Sequence, residues 1–158
     1  MRGKGNDGTG NNKERDLWET NQELWESLNN QYKFLFDCCA SSENTKTEMF
    51  SEDFEKVKKV NGVAWMNPPF SNARRMFEHF FNVIEKGIAI YRIDNPETKI
   101  WQEVIFPNAS WIFIPKGRIL YTPYNVDIRS GVTRFPSALI GVNLLEVKDI
   151  KGITLKVV

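Results

Sequence analysis

"GVAWMNPPFSNARRMFEHFFNVIEKGIAIYRI" runs from Gly62 to Ile93, and its periodicity changes twice. Gly62 to Met66 is a short apolar run of the kind a buried strand needs. From Ser71 to Lys86, the residues Ala73, Met76, Phe77, Phe80, Val83 and Ile84 recur on one face at helical spacing, which predicts a helix. Gly87 to Ile93 is apolar again and predicts a second strand. Two buried strands joined by a helix read as parallel neighbours in one sheet.

The alternation continues on both sides. Leu17, Trp18, Leu24, Trp25 and Leu28 form a helical stripe. Thr20 is placed to cap a helix running from near Asn21 to Asn29-Asn30, with Glu23 completing a capping box. Lys33 to Phe36 predicts a buried strand ending at Asp37, and Ser51 to Val60 a helix capped by Ser51. Further on, Pro96 to Phe106 reads as a helix that starts at a proline. Strands are expected at Trp111 to Ile114, Gly117 to Tyr121, Ser137 to Leu145 and Ile153 to Val158. Between them, Thr122 to Phe135 is rich in Pro, Asn, Asp, Ser and Gly and reads as a long loop. This order predicts an α/β sheet, parallel at first with antiparallel strands at the end. Residues 1–13, rich in Gly and Asn, are expected to be a disordered tail, and 14–158 a single domain.

Composition narrows the class. The chain of 158 residues is 41% hydrophobic and 26% charged, ordinary for a globular protein that buries a core. A net charge of +1 gives no overall pull toward a polyanion, so any such binding must use local basic faces. No apolar run approaches the ~20 residues that span a membrane. The charged N-terminus has no apolar segment after it, so no signal peptide is expected and the cytoplasm is the expected compartment. Cys38 and Cys39 are adjacent, a geometry that strains a mutual disulfide. With His79 the lone histidine, they do not compose a zinc site. They are expected to be small side chains in a reducing compartment, with no metal and no thiol nucleophile.

The chemistry concentrates at Asn67-Pro68-Pro69-Phe70. Each proline fixes its own φ and holds the residue before it extended. Neither proline has an N–H, so the loop presents carbonyl acceptors without competing donors. The Asn67 side chain adds an oxygen, and Phe70 a flat face. Two acceptors at fixed spacing beside an aromatic ring suit a planar group carrying –NH₂, such as adenine. Gripping the N–H bonds favours a more tetrahedral nitrogen as its bond to an electrophile forms, a stabilisation specific to the transition state. In a duplex the base has to be flipped out to reach such a site. A loop that merely ends a strand and starts a helix, with Phe70 in the core, accounts for the same letters. In open α/β sheets, ligands sit beyond the carboxyl ends of the strands, where both Asp37 and Asn67 are expected.

The chain resembles the small DNA N6-adenine methyltransferases found mainly in phages and prophages. Beyond the NPPF tetrad, "LWETNQELWESLNNQYKFLFDCCAS" (Leu17 to Ser41) is similar to that family's opening. "SSENTKTEMFSED" (Ser41 to Asp53) is similar to the segment before its Asn-Pro-Pro motif. "YRIDNPETKIW", "GRILY" and "FPSALIGV" resemble its later segments. The likeness departs at Asn21, where the family usually has Pro, and at Cys38-Cys39, where it has small residues or Pro. A glycine-rich cofactor loop is also absent.

The resemblance implies a Rossmann-like methyltransferase fold with helices on both faces of the sheet. It implies S-adenosylmethionine as methyl donor and adenine-containing DNA as substrate, without metal or membrane. By position it places Asp37, Trp18 and Thr20 at the cofactor and Asn67, Pro68, Pro69 and Phe70 at the reacting base. Arg74 and Arg75, and Arg129 and Arg134 in the long loop, become candidates for phosphate contacts, and Arg92 for a contact with DNA or product. Each arginine also fits a solvated surface. Two other readings keep the motif: methylation of a glutamine side-chain amide, which is also a planar –NH₂, and a non-catalytic nucleic-acid-binding relative. Host protection, blocking of restriction and regulation all fit the first reading.

Overall fold

The computed structural model describes residues 18–20, 22–117, 119–123, 131–132 and 136–157. The expected tail, Arg129 and Arg134 lie outside the described residues. In chain order the elements are β1 (Trp18–Thr20), α1 (Gln22–Tyr32), β2 (Phe36–Asp37), β3 (Met49–Phe50), β4 (Val60–Met66), α2 (Ala73–Val83) and β5 (Ile84–Arg92). A π-helical turn, Ile100–Ile105, then runs into a short helix, α3 (Phe106–Asn108). The remaining strands are β6 (Trp111–Pro115), β7 (Leu120–Pro123), β8 (Gly131–Val132), β9 (Ser137–Val142) and β10 (Gly152–Lys156).

A seven-stranded sheet has the order β10-β6-β9-β5-β4-β2-β3. The strands β3, β2, β4 and β5 run parallel, as the early part of the sequence predicts. On the other side, β9 is antiparallel to β5 and β6, and β10 is antiparallel to β6. A second, three-stranded sheet, β1-β7-β8, is antiparallel.

Strand alternation sends side chains to two cores. On one face, Trp25, Leu28 and Tyr32 of α1 pack with Val63, Trp65, Ile88, Ile90 and Leu139. On the other, Met76, Phe77 and Phe80 of α2 pack with Ala64, Met66, Ala89 and Ile140, joined by Trp101 and Ile105 of the π-helical turn. Both faces of the sheet are therefore covered by helices. This explains why β4 and β5 read as continuous apolar runs rather than alternating ones.

Several boundaries differ from the sequence reading. The helix expected over Ser51 to Val60 is only a 3-10 turn, Phe54–Lys56. Ser51 cannot cap it, because its N–H donates to the Asp37 carbonyl at 3.0 Å and its carbonyl accepts from Ala40 at 3.0 Å. That backbone extends the β2-β3 pairing. Val57 is already extended, and Val60 starts β4. The expected helix Ser71 to Lys86 stops at Val83, because Ile84 pairs with Val60 and opens β5.

The helix expected from Pro96 begins at Ile100 and is π-helical. Pro107 has no N–H to continue an ordinary ladder, and the Phe106 N–H donates to the carbonyl of Trp101. Thr20 lies in β1 opposite Tyr121 rather than capping α1. Part of the expected loop Thr122 to Phe135 is strand: Thr122 and Pro123 belong to β7, and Gly131 and Val132 are β8.

Candidate active site

Because β2, β3, β4 and β5 are parallel, their carboxyl ends at Asp37, Phe50, Met66 and Arg92 share one edge of the large sheet. The tetrad leaves that edge from the end of β4. Pro68 is buried, while Asn67, Pro69 and Phe70 are half-buried. Pro69 is extended, with φ −62° and ψ 134°, as its ring requires. Its carbonyl accepts from the Asn72 N–H at 3.1 Å, which closes the 3-10 turn Phe70–Asn72 that leads into α2. Phe70 meets Tyr91 edge to face, with ring centres 6.4 Å apart, and Tyr91 packs in the same way on Phe77 at 5.3 Å. The ring of Phe70 is thus half-buried, braced from β5 and packed against the core cluster that holds Trp25, Trp65 and Ile90.

A cavity of about 420 Å³ opens beside the motif. Asn67 and Pro69 form one wall. Ser41 and Asn44 come from the loop after β2, and Glu52 and Asp53 from the segment after β3. Phe54 and Met76 supply apolar surface. The cavity therefore joins the loops of three adjacent parallel strands. Glu52, Asp53, Ser41 and Asn44 were not singled out from the sequence. The available signal was the acidic pair Glu52-Asp53, one residue beyond Met49-Phe50, and the helical reading of Ser51 to Val60 conceals it.

The other candidates fall in different places. Asp37 is 3% exposed and does not line the cavity. Its Oδ2 accepts the Lys46 N–H at 3.0 Å, so its carboxylate ties down the far side of the loop that carries Ser41 and Asn44. Thr20 is 1% exposed, and its Oγ1 accepts a hydrogen bond from Asn67 Nδ2 at 3.4 Å. Trp18 is opposite Pro123 in the small sheet. Arg74 lies 3.5 Å from Glu103 and 3.8 Å from Glu78, and Arg75 pairs with Glu55. Arg92 grips Asp94 with two hydrogen bonds, at 2.8 and 2.5 Å.

Cys38 is buried, and Cys39 lines the cavity. Burial pushes both thiols above their ordinary pKa, with Asp37 adding to the rise. A thiol raised in this way carries less of the reactive thiolate. Among the described residues no cluster of three or more His, Cys, Asp or Glu could hold a metal ion, and no helix is long and apolar enough to cross a membrane.

No curated protein gives a significant match to the chain. The family model described as DNA N-6-adenine-methyltransferase (Dam) matches residues 8–141. That match covers most of the chain, which therefore belongs to this family and is an enzyme that methylates N6 of adenine in DNA.

Proposed function

We propose that the cavity at the carboxyl edge receives S-adenosylmethionine, and that Asn67 and the Pro68 carbonyl hold the adenine amine at its mouth while Phe70 stacks the base. The observation that carries this reading is that Asn67 and Pro69, after β4, form a wall of the same cavity that Glu52 and Asp53 enter after β3, with β2 between the two strands. The residues present fit the donor. Carboxylates suit its ammonium group and ribose hydroxyls, Phe54 and Met76 suit its apolar parts, and the volume lies in the range of small-ligand pockets. The arrangement also fits a Rossmann-like methyltransferase fold, in which ligands sit beyond the carboxyl ends of the strands.

When bound, the donor supplies an electrophilic methyl on a sulfonium. The chain's own residues act on the acceptor. The Asn67 side-chain oxygen and the Pro68 carbonyl each accept an N–H of the amine, drawing its lone pair out of the ring. As the amine nitrogen becomes more tetrahedral on accepting the methyl that the donor would supply, both acceptors would hold it better, and its surplus proton would leave to water. Phe70 supplies a stacking face to a flipped base. Arg74 and Arg75 stand on α2 just beyond the motif and reach phosphate by exchanging their carboxylate partners. Acting on DNA, the enzyme works in the cytoplasm, that of the host if phage-encoded, and marking DNA against restriction is a fitting role. Nothing in the fold or family favours a glutamine amide or a binding-only role.

The test is transfer of labelled methyl from S-adenosylmethionine to adenine-rich DNA by the full chain and by Asn67→Ala. Label on N6 that is lost in the variant, with donor binding kept, is the expected result. Equal turnover by the variant would overturn the assignment.

A further inference from the structure

We infer that Thr20 is a positioning residue for Asn67, holding its amide so that the oxygen faces the adenine amine. The inference rests on the role proposed above for Asn67. The two ends of a side-chain amide have nearly the same shape and opposite chemistry: the oxygen accepts, and the nitrogen only donates. An Asn67 turned by half a rotation would present N–H groups to an amine that itself carries N–H groups, and the site would repel its substrate. Something must therefore bias the rotation.

Asn67 Nδ2 donates to Thr20 Oγ1 at 3.4 Å, which leaves Oδ1 on the opposite side of the amide. Thr20 is 1% exposed, so solvent does not compete for its hydroxyl. Its backbone is fixed in β1 opposite Tyr121, in a sheet separate from the one that carries Asn67. The bond therefore joins the small sheet to the catalytic loop. By position in the sequence, Thr20 was a candidate for contacting the cofactor. The cavity that Asn67 lines is not lined by Thr20, and the hydrogen bond points to the amide instead.

The experiment uses the full chain with Thr20→Val and Thr20→Ser, reading kcat, KM for DNA, melting temperature, and the dissociation constant for S-adenosylmethionine by calorimetry. Valine keeps the shape and removes the hydroxyl; serine keeps the hydroxyl. The expected result is a kcat about tenfold lower in Thr20→Val, with donor affinity within about twofold, and recovery to near the parent value in Thr20→Ser. Weaker donor binding at an unchanged kcat would make Thr20 a cofactor contact and overturn the inference. So would unchanged kinetics, or a fall in kcat that follows a lower melting temperature and is not rescued by serine. Asn67→Ala is assayed alongside: if it turns over normally the proposed active site itself fails, whereas if it is inactive and Thr20→Val is not, only the positioning role fails.

Discussion

Asp37 and Asn67 end neighbouring parallel strands, point from the same edge of the sheet, and look alike in the sequence as polar residues closing apolar runs. The structure gives them different surroundings. Asp37 is 3% exposed and spends a carboxylate oxygen on the Lys46 N–H. Asn67 is half-buried and faces a cavity. A place at the carboxyl end of a strand brings a side chain to the functional edge. Whether it lines the cavity or supports the loop around it is decided by the next few residues. After Asn67, two prolines hold the chain extended, and the side chain stays on the cavity wall. After Asp37, the chain folds back through Ser41 and Asn44, and the carboxylate closes that fold.

The contrast breaks most readily at Asn67. Asn67→Ala is expected to lower kcat by at least about a hundredfold, since it removes an acceptor that acts in the transition state. Its melting temperature should fall less than that of an Asp37 variant, because the residue is half-buried and its bond to Thr20 is long. Single-turnover kinetics and a thermal melt on one preparation check both halves. A variant that melts early would make Asn67 structural and erase the distinction.

Asp37→Ala should show the reverse balance. Loss of the carboxylate leaves the Lys46 N–H without its acceptor, at a cost on the order of 1–3 kcal/mol. Activity should fall through weaker donor binding as the loop loosens, with kcat at saturating donor largely kept. Urea melts and donor titrations separate these terms. A loss of kcat at saturation with unaltered stability would place Asp37 in the chemistry.

What the sequence disclosed follows the same division. The stretch from Gly62 to Ile93 was legible because strand and helix there each carry enough apolar residues to show their period, and the motif sits between them. The covered faces follow from the unbroken apolar runs of β4 and β5. The cavity was not legible. It depends on β3, only two residues long, lying beside β2, and so short a strand has no period. Phe54, Val57 and Val60 are spaced like a helix face, yet Phe54 alone anchors a 3-10 turn while the Ser51 backbone is committed to Asp37. The small sheet was hidden for a related reason. β1 pairs with β7 from the far end of the chain, and non-local pairing leaves no mark on either segment. Thr20 was therefore read as a helix cap, from the local pattern alone.

A subtler probe of Asp37 uses its neighbours. The Cys39 thiol is held above its ordinary pKa first by burial and then by the Asp37 charge. Cys38 is raised by burial, then by Cys39 and Asp37. A thiol raised in the folded state adds stability that is fully present below its unfolded pKa and is lost as pH rises toward the folded one. Stability should therefore decline in the alkaline range above the ordinary thiol value. Asp37→Asn keeps an acceptor oxygen for Lys46 and removes the charge. Cys39 should then react severalfold faster with a small alkylating reagent at mildly alkaline pH, while remaining slower than in the unfolded chain. An unchanged rate would mean that burial alone governs the thiol.

The smallest effect is expected at Arg75, on α2, whose partner Glu55 lines the cavity that Asn67 also lines. Arg75 is two-thirds exposed and pairs with Glu55, which is itself 37% exposed. Such a pair contributes little to stability, so Arg75→Ala should change it by no more than about 0.5 kcal/mol. If the guanidinium leaves Glu55 for a phosphate when DNA binds, the variant binds DNA more weakly, to a similar degree on every sequence. Its log-log dependence of affinity on salt should then be shallower by about one. Binding measured across a salt series decides this. An unaltered slope would leave Arg75 with Glu55 in the complex and confine the functional edge to Asn67 and the loops around it.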